Sequence, residues 1–329
     1  MLKKIINSAH IRFKIIPIDP LLIKSGQATV GGTDMSFVRT YKFGEKDQPF
    51  IPGSSIKGLL RAYAEKICRT LGGDKVPVCL PYVDADNKDL TDEEKAQAAC
   101  GLRTRKKEKD KDIKFGTAVI YNTSCPVCRL FGAHNYIGRL ATSDAYLTEE
   151  YKDNRHLFEI RDGVAIDRLT GGTAGGAKYD FEVLTKGEFE TTVDIRNFER
   201  WQLGLIGLVL RDMEDGLIRL GFGKSRGLGK IKAEIEEFKI ISYNKTLDTL
   251  SGIVSYCTEK DKKDYGFFTE TDTVKDGPMP ECEKKGLRHE YTITEAWKNL
   301  LEPAVNDLVA FVETDNWPEK INNISTGVN

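Results

Sequence analysis

The 329-residue chain carries 49 Lys and Arg against 50 Asp and Glu, a net charge of −1. That length supports a sizeable core, as one large domain with insertions or two modest ones. The charge balance excludes a global basic field, so any contact with a polyanion must come from local clustering. The N-terminal stretch MLKKIINSAHIRFKIIPI lacks the long apolar region and small-residue cleavage site of a secretory signal. No apolar run approaches the ~18 residues of a membrane span, and the expected location is the cytoplasm. Seven cysteines, an odd count with one Cys-x-x-Cys pair, suit metal-held thiols in a reducing compartment better than a disulfide framework.

Residues 10–18 alternate apolar and polar side chains and read as a strand. Residues 20–30 read as a second strand, ending at Gly31-Gly32 and followed by the carboxylate of Asp34. Ile51-Pro52-Gly53-Ser54-Ser55-Ile56-Lys57-Gly58 then feeds an amphipathic helix containing Arg61, with Ser54 or Ser55 as its N-cap. Free amides of the first turn, the helix dipole and Lys57 together favour an anion such as a nucleic-acid phosphate. A capped helix without a ligand accounts for the same residues equally well.

Residues 71–117 lose this regularity and read as a surface insertion, with an acidic helical stretch at 91–99. The mixed-charge run 103–111 reads as a solvated loop whose basic first half is open to a phosphate backbone. Cys79, Cys100, Cys125 and Cys128 bracket the insertion. The Cys125-Pro126-Val127-Cys128 turn aims two thiolates at one tetrahedral ion, and Cys79 and Cys100 complete a closed structural zinc site. Cys68 and His134 are reserve ligands. The alternative is an incidental turn beside two small buried hydrophobes.

Residues 138–143 form a short strand, and 164–184 two alternating arms around a tip with four glycines, a long hairpin. A further strand at 188–195 precedes a helix at 198–213. In residues 216–232, glycines alternate with Arg219, Lys224, Arg226, Lys230 and Lys232. Such a loop brings backbone amides and cations up to a phosphate. Gly223-Lys224-Ser225 is not a P-loop, because position 218, where that motif requires its first glycine, holds Ile218. Beyond residue 241 the pattern is weak apart from a helix at 294–313.

Five motifs in this order resemble the RAMP superfamily of CRISPR-associated proteins, in particular the backbone subunits of type III effector complexes. They are Gly31-Gly32-Thr33-Asp34, residues 50–58 with Arg61, Cys128-Arg129-Leu130-Phe131-Gly132, residues 161–168 with Lys178-Tyr179, and the glycine loop 221–229. The resemblance covers about residues 8–240 and implies an α+β fold, a ferredoxin-like, RRM-related palm with an inserted thumb hairpin and a Cys-rich insertion. The implied division is 1–70 and 136–240 for the palm, 71–135 for the insertion, about 160–184 for the thumb and 241–329 for a C-terminal extension.

The resemblance further implies copies stacked in a filament along CRISPR RNA, with other effector subunits and no membrane. By match to the family pattern, Asp34 cuts complementary target RNA with Mg²⁺. Ser54, Ser55, Lys57, Arg61, Arg168, Lys178, Gly221, Gly223, Lys224, Arg226 and Gly227 contact RNA. A cleavage-inactive, capping RNA-binding subunit of the same kind of complex is the alternative reading.

Overall fold

The computed structural model describes residues 4–26, 32–41, 47–73, 75–81, 83, 91, 94–95, 97–152, 156–243, 245–269 and 278–320. Gly31 of the glycine pair, part of the stretch 91–99 and residues 327–329 lie outside them.

The sheet is built on β1 (Asn7–Pro17). Its alternation buries Ala9, Ile11, Phe13 and Ile15 completely and leaves Ser8, His10, Arg12 and Lys14 half-buried on the opposite face. That two-residue period follows from the pleat. β1 pairs antiparallel with β10 (Phe189–Arg196) and β11 (Ile231–Tyr243). β10 in turn pairs antiparallel with β6 (Leu140–Thr142) and β7 (Ala145–Leu147). β3 (Gln48–Ile51) and β2 (Arg39–Thr40) extend one edge, and β13 (Arg288–Thr292) and β12 (Cys282–Lys285) the other. The order is β12-β13-β11-β1-β10-β7-β3-β2, with β6 also on β10.

Two helices cross over this sheet. α1 (Gly53–Gly72) comes after β3, on the long connection from β1 to β6, and α6 (Arg200–Glu214) lies between β10 and β11. β1 and β6 both run antiparallel to β10, and β10 and β11 both antiparallel to β1, so β1 is parallel to β6 and β10 is parallel to β11. α1 and α6 pack on each other, α1 against β6 and α6 against β11. The chain is therefore an α+β fold with one helical layer over an antiparallel sheet. No described helix is long and apolar enough to cross a membrane.

The segment 97–137 folds beside α1 as α2 (Cys100–Lys111), α3 (Thr117–Asn122), α4 (Pro126–Phe131) and the small β4–β5 ladder (Gly132–Ala133, Tyr136–Ile137). The charged run 103–111 is thus a helix rather than the expected loop. Lys, Arg and Glu are good helix formers, and Cys100, Gly101, Arg103 and Thr104 bury the first turn. The expected second strand at 20–30 is not formed by residues 20–26, which make only isolated bridges, Leu21 to Leu184 and Lys24 to Phe37. A short helix, α5 (Glu149–Lys152), follows β7.

The C-terminal segment is integral to the core. It contributes α7 (Glu259–Tyr265), β12, β13, α8 (Trp297–Leu300), α9 (Glu302–Thr314) and α10 (Trp317–Lys320). The single helix expected at 294–313 is divided between α8 and α9, with Pro303 in the first turn of α9, where a missing N–H costs nothing. α9 packs on α6. Trp317 is completely buried and donates its indole N–H to the carbonyl of Val76 at 2.7 Å.

Candidate functional site

Asp34 sits exposed in the loop before β2, laid along the long hairpin of β8 (Phe158–Ile166) and β9 (Thr173–Leu184). Its N–H donates to Asp180 Oδ1 at 2.7 Å, and the Asp180 N–H donates back to Asp34 Oδ2 at 3.0 Å. The ladder continues with Met35 N–H to the Asp180 carbonyl at 3.3 Å and Glu182 N–H to the Met35 carbonyl at 3.0 Å. Glu182 also accepts the Phe37 N–H at 3.0 Å and clamps both terminal nitrogens of Arg39 at 2.8 and 2.5 Å. Residues 34–39 are held to β9 almost as a further strand.

The other face of β9 is tied to the glycine-rich loop. Tyr179 receives a hydrogen bond from Arg226 at 2.8 Å, and Phe181 meets Phe222 edge-on at 6.5 Å between ring centroids. Gly163 lies opposite Tyr179, whose ring atoms come within 2.3 Å of where a Cβ would stand. Arg168 and Lys178 are exposed on the hairpin, Lys178 paired with Asp162 at 3.5 Å.

At the start of α1 the cap differs from expectation. The N-cap is Pro52, and neither Ser54 nor Ser55 caps the helix, because both lie within its first turn. The Gly53 N–H instead donates to Asp144 Oδ1 at 2.7 Å, so a carboxylate of this chain already occupies the first amide. Ser54 is exposed and Ser55 half-buried. A groove of about 500 Å³ gathers Ser55 with Gly221 and Lys224, and adds Tyr63, Lys66 and Arg219. A positive φ of 82° at Gly221 shapes its wall, and Gly223 beside it has a φ of 69°, a conformation that disfavours other residues. Gly227 and Arg226 are exposed beyond it.

Lys57 and Arg61 face a different cavity, of about 620 Å³, alongside Cys79, Cys100, Cys128 and His134. Lys57 Nζ donates to the Leu140 carbonyl at 3.1 Å, and burial followed by the nearby Arg61 charge lowers its pKa. Arg61 donates to the Gly132 carbonyl at 3.1 Å, Glu65 at 3.1 Å and Cys128 Sγ at 3.3 Å. Burial opposes its charge, but the Cys128 sulfur and Glu65 outweigh that and raise its pKa.

Cys79, Cys100, Cys125 and Cys128 converge. All four are buried, and their sulfurs lie within 4.8 Å of one another. Cys79 to Cys128 is 3.6 Å and Cys79 to Cys125 is 3.7 Å. Backbone N–H groups of Cys125 and Cys128 donate to the sulfurs of Cys100 and Cys125 at 3.2 and 3.4 Å. Burial pushes the Cys100 and Cys125 thiols up, whereas donation from Cys100, Cys125 and Cys128 holds Cys79 down. Cys68 is buried in the main core and His134 lines the adjoining cavity, and neither is among the converging ligands.

The RAMP superfamily model matches residues 14–232. The chain belongs to the RAMP superfamily. The matched interval of this RAMP protein contains Asp34, the hairpin, the cysteine cluster and the glycine-rich loop, whereas the segment carrying α7 to α10 lies beyond it. The chain is also 29% identical over 213 residues to the CRISPR system Cms endoribonuclease Csm3 of Methanocaldococcus jannaschii, covering 62% of this chain and 68% of that protein.

Sequence reasoning missed Asp144, Asp180, Glu182 and Lys66, whereas Arg219 was among the cations read in the glycine-rich loop. Lys66 alone carried a usable signal, since it follows Ser55 and Ala62 at helical spacing on α1.

Proposed function

We propose that this RAMP protein is a backbone subunit of a type III CRISPR effector complex that binds CRISPR RNA and cleaves complementary target RNA at Asp34. The printed activity of the Csm3 relative supports the assignment. The sheet order β11-β1-β10-β7, with crossovers through α1 and α6, supports a ferredoxin-like, RRM-related palm from which β8 and β9 project as a thumb. The observation that carries the cleavage reading is the attachment of the exposed Asp34 to the base of that hairpin through Asp180. A thumb entering a guide–target duplex would bring Asp34 to the backbone beside it.

Ser55, Lys66, Arg219 and Lys224 supply hydroxyl and cationic contacts suited to a phosphate backbone. Ser54, Arg226 and the exposed Arg168 and Lys178 extend that surface, while sequence is read by base pairing. Arg61 bonds Gly132 and Cys128 of the cysteine segment and Lys57 bonds the Leu140 carbonyl of β6, so both read as structural supports. Mg²⁺, which needs only one or two carboxylates, would supply charge stabilisation at the phosphate. The reaction is attack of the RNA's own 2′-hydroxyl on phosphorus with departure of the 5′-oxygen, leaving a cyclic phosphate and a 5′-hydroxyl. The protein's part is to hold Asp34 and the nucleotide in line.

For the cysteine cluster, a tetrahedron with Zn–S bonds of about 2.3 Å has edges of about 3.8 Å. The 3.6 and 3.7 Å separations fit it. Structural zinc held by Cys79, Cys100, Cys125 and Cys128 is the proposed occupant. Purified protein should contain one zinc more per chain than Cys125→Ser, and equal zinc content refutes the site.

The test of cleavage is the assembled complex with complementary RNA. Asp34→Ala should abolish cuts while target binding persists; unchanged cutting rejects the assignment. The capping-subunit reading is favoured by one observation, the engagement of both the Asp34 N–H and its carboxylate in the Asp180 contact. It predicts no effect of Asp34→Ala on cutting.

A further inference from the structure

We infer that Asp180 is a positioning residue that sets the place of Asp34 relative to the hairpin. The inference rests on reading Asp34 as the cutting residue, but the mechanical link is tested separately below.

Successive even-numbered residues of β9 each bond to something other than the residue directly opposite in β8. Lys178 pairs with Asp162 rather than with its cross-strand neighbour Val164. Asp180 accepts the Asp34 N–H, and Glu182 accepts the Phe37 N–H and binds Arg39. Within the hairpin, Asp180 stands directly opposite Asp162. Like charges in that relation destabilise a β ladder, so hairpin formation alone does not favour an acid at 180. Local conflicts of this kind are expected where a residue serves a purpose outside its own element.

That purpose is legible in the reciprocal bonds. The Asp180 carboxylate fixes the backbone of Asp34, and the Asp180 backbone fixes the side chain of Asp34. One residue thus determines both where the cutting carboxylate stands and which way it is turned. The neighbouring Tyr179 binds Arg226 of the glycine-rich loop. Residues 179 and 180 therefore join the RNA-gripping loop to the cutting loop through two adjacent positions of one strand. A misplacement of about 1 Å at a reacting group costs on the order of 100-fold in rate, which is the scale on which such a brace acts.

The test uses the full chain in the assembled complex, with single-turnover cleavage, target affinity and amide hydrogen exchange at Asp34 and Met35. Asp180→Ala should slow cleavage about 10- to 100-fold with target affinity unchanged, and accelerate exchange at Asp34. Asp180→Asn keeps a side-chain oxygen able to accept the Asp34 N–H, and should restore slow exchange and cleavage within about threefold of the parent. Unchanged exchange in Asp180→Ala overturns the inference. Equal loss of cleavage in Asp180→Asn and Asp180→Ala also overturns it, because the role would then be one of charge. If Asp34→Ala leaves cleavage intact while Asp180→Ala still frees the Asp34 amide, the cleavage assignment fails and the brace stands.

Discussion

Trp201 of α6 and Phe311 of α9 stack with ring centroids 4.3 Å apart and planes 23° from parallel. The contact joins the helix behind the sheet to the segment beyond the RAMP match. One turn away, Arg200 grips Asp307 through two bonds of 2.5 and 2.9 Å, both side chains almost wholly buried. Removing one partner strands the other charge in a low-dielectric interior. Asp307→Ala is expected to cost about 3–5 kcal/mol, read as a lowered urea midpoint. A change below about 1 kcal/mol would mean that this helix pair is not part of the cooperative core.

The same pair of helices predicts opposite outcomes at two glycines. A Cβ at Gly204 would stand 2.1 Å from the Ala304 carbonyl oxygen, so the helices approach as closely as they do because that position is bare. Gly204→Ala should destabilise by about 1–3 kcal/mol through forced separation. A Cβ at Gly58, on the exposed side of α1, meets nothing within 4 Å. Gly58→Ala should raise stability by about 0.5–1 kcal/mol, since glycine inside a helix costs backbone entropy. Thermal melts of the two variants should bracket the parent.

Cys68 supplies a pH dependence. Burial pushes its thiol up to about 12, with Glu65 adding to the shift and Arg69 opposing it. The folded value lies above the unfolded one of about 8.5. Its contribution to stability is therefore complete below that value and declines as pH rises towards 12, because only the unfolded chain releases the proton readily. The stability difference between the parent and Cys68→Ala should shrink between pH 8 and pH 11 in urea titrations. A constant difference would place the thiol in water.

Much of this was readable from local pattern. The alternation in β1 and the helical spacing of α6 each carry a period that burial enforces. The four cysteines announce a shared chemistry whatever the intervening chain does. What escaped is what local pattern does not encode. The run 103–111 has no apolar stripe, so its helix is written in propensity and in one buried turn. The Gly53 amide finds Asp144 across 91 positions, and Asp34 finds Asp180 across 146. The C-terminal segment looked featureless because apolar residues such as Phe311 answer to distant partners, here Trp201 of α6.

The bond from Trp317 to Val76 closes a loop of 241 positions. Contacts of such sequence separation form late, since chain entropy must be surrendered before they return any stability. β1 and β11 meet across a comparable separation, Asn7 with Ser242, so the sheet should close in the same late phase as α10 docks, seen as one step in fluorescence. Under the zinc proposal, the ion then has until that shared step to reach the thiols.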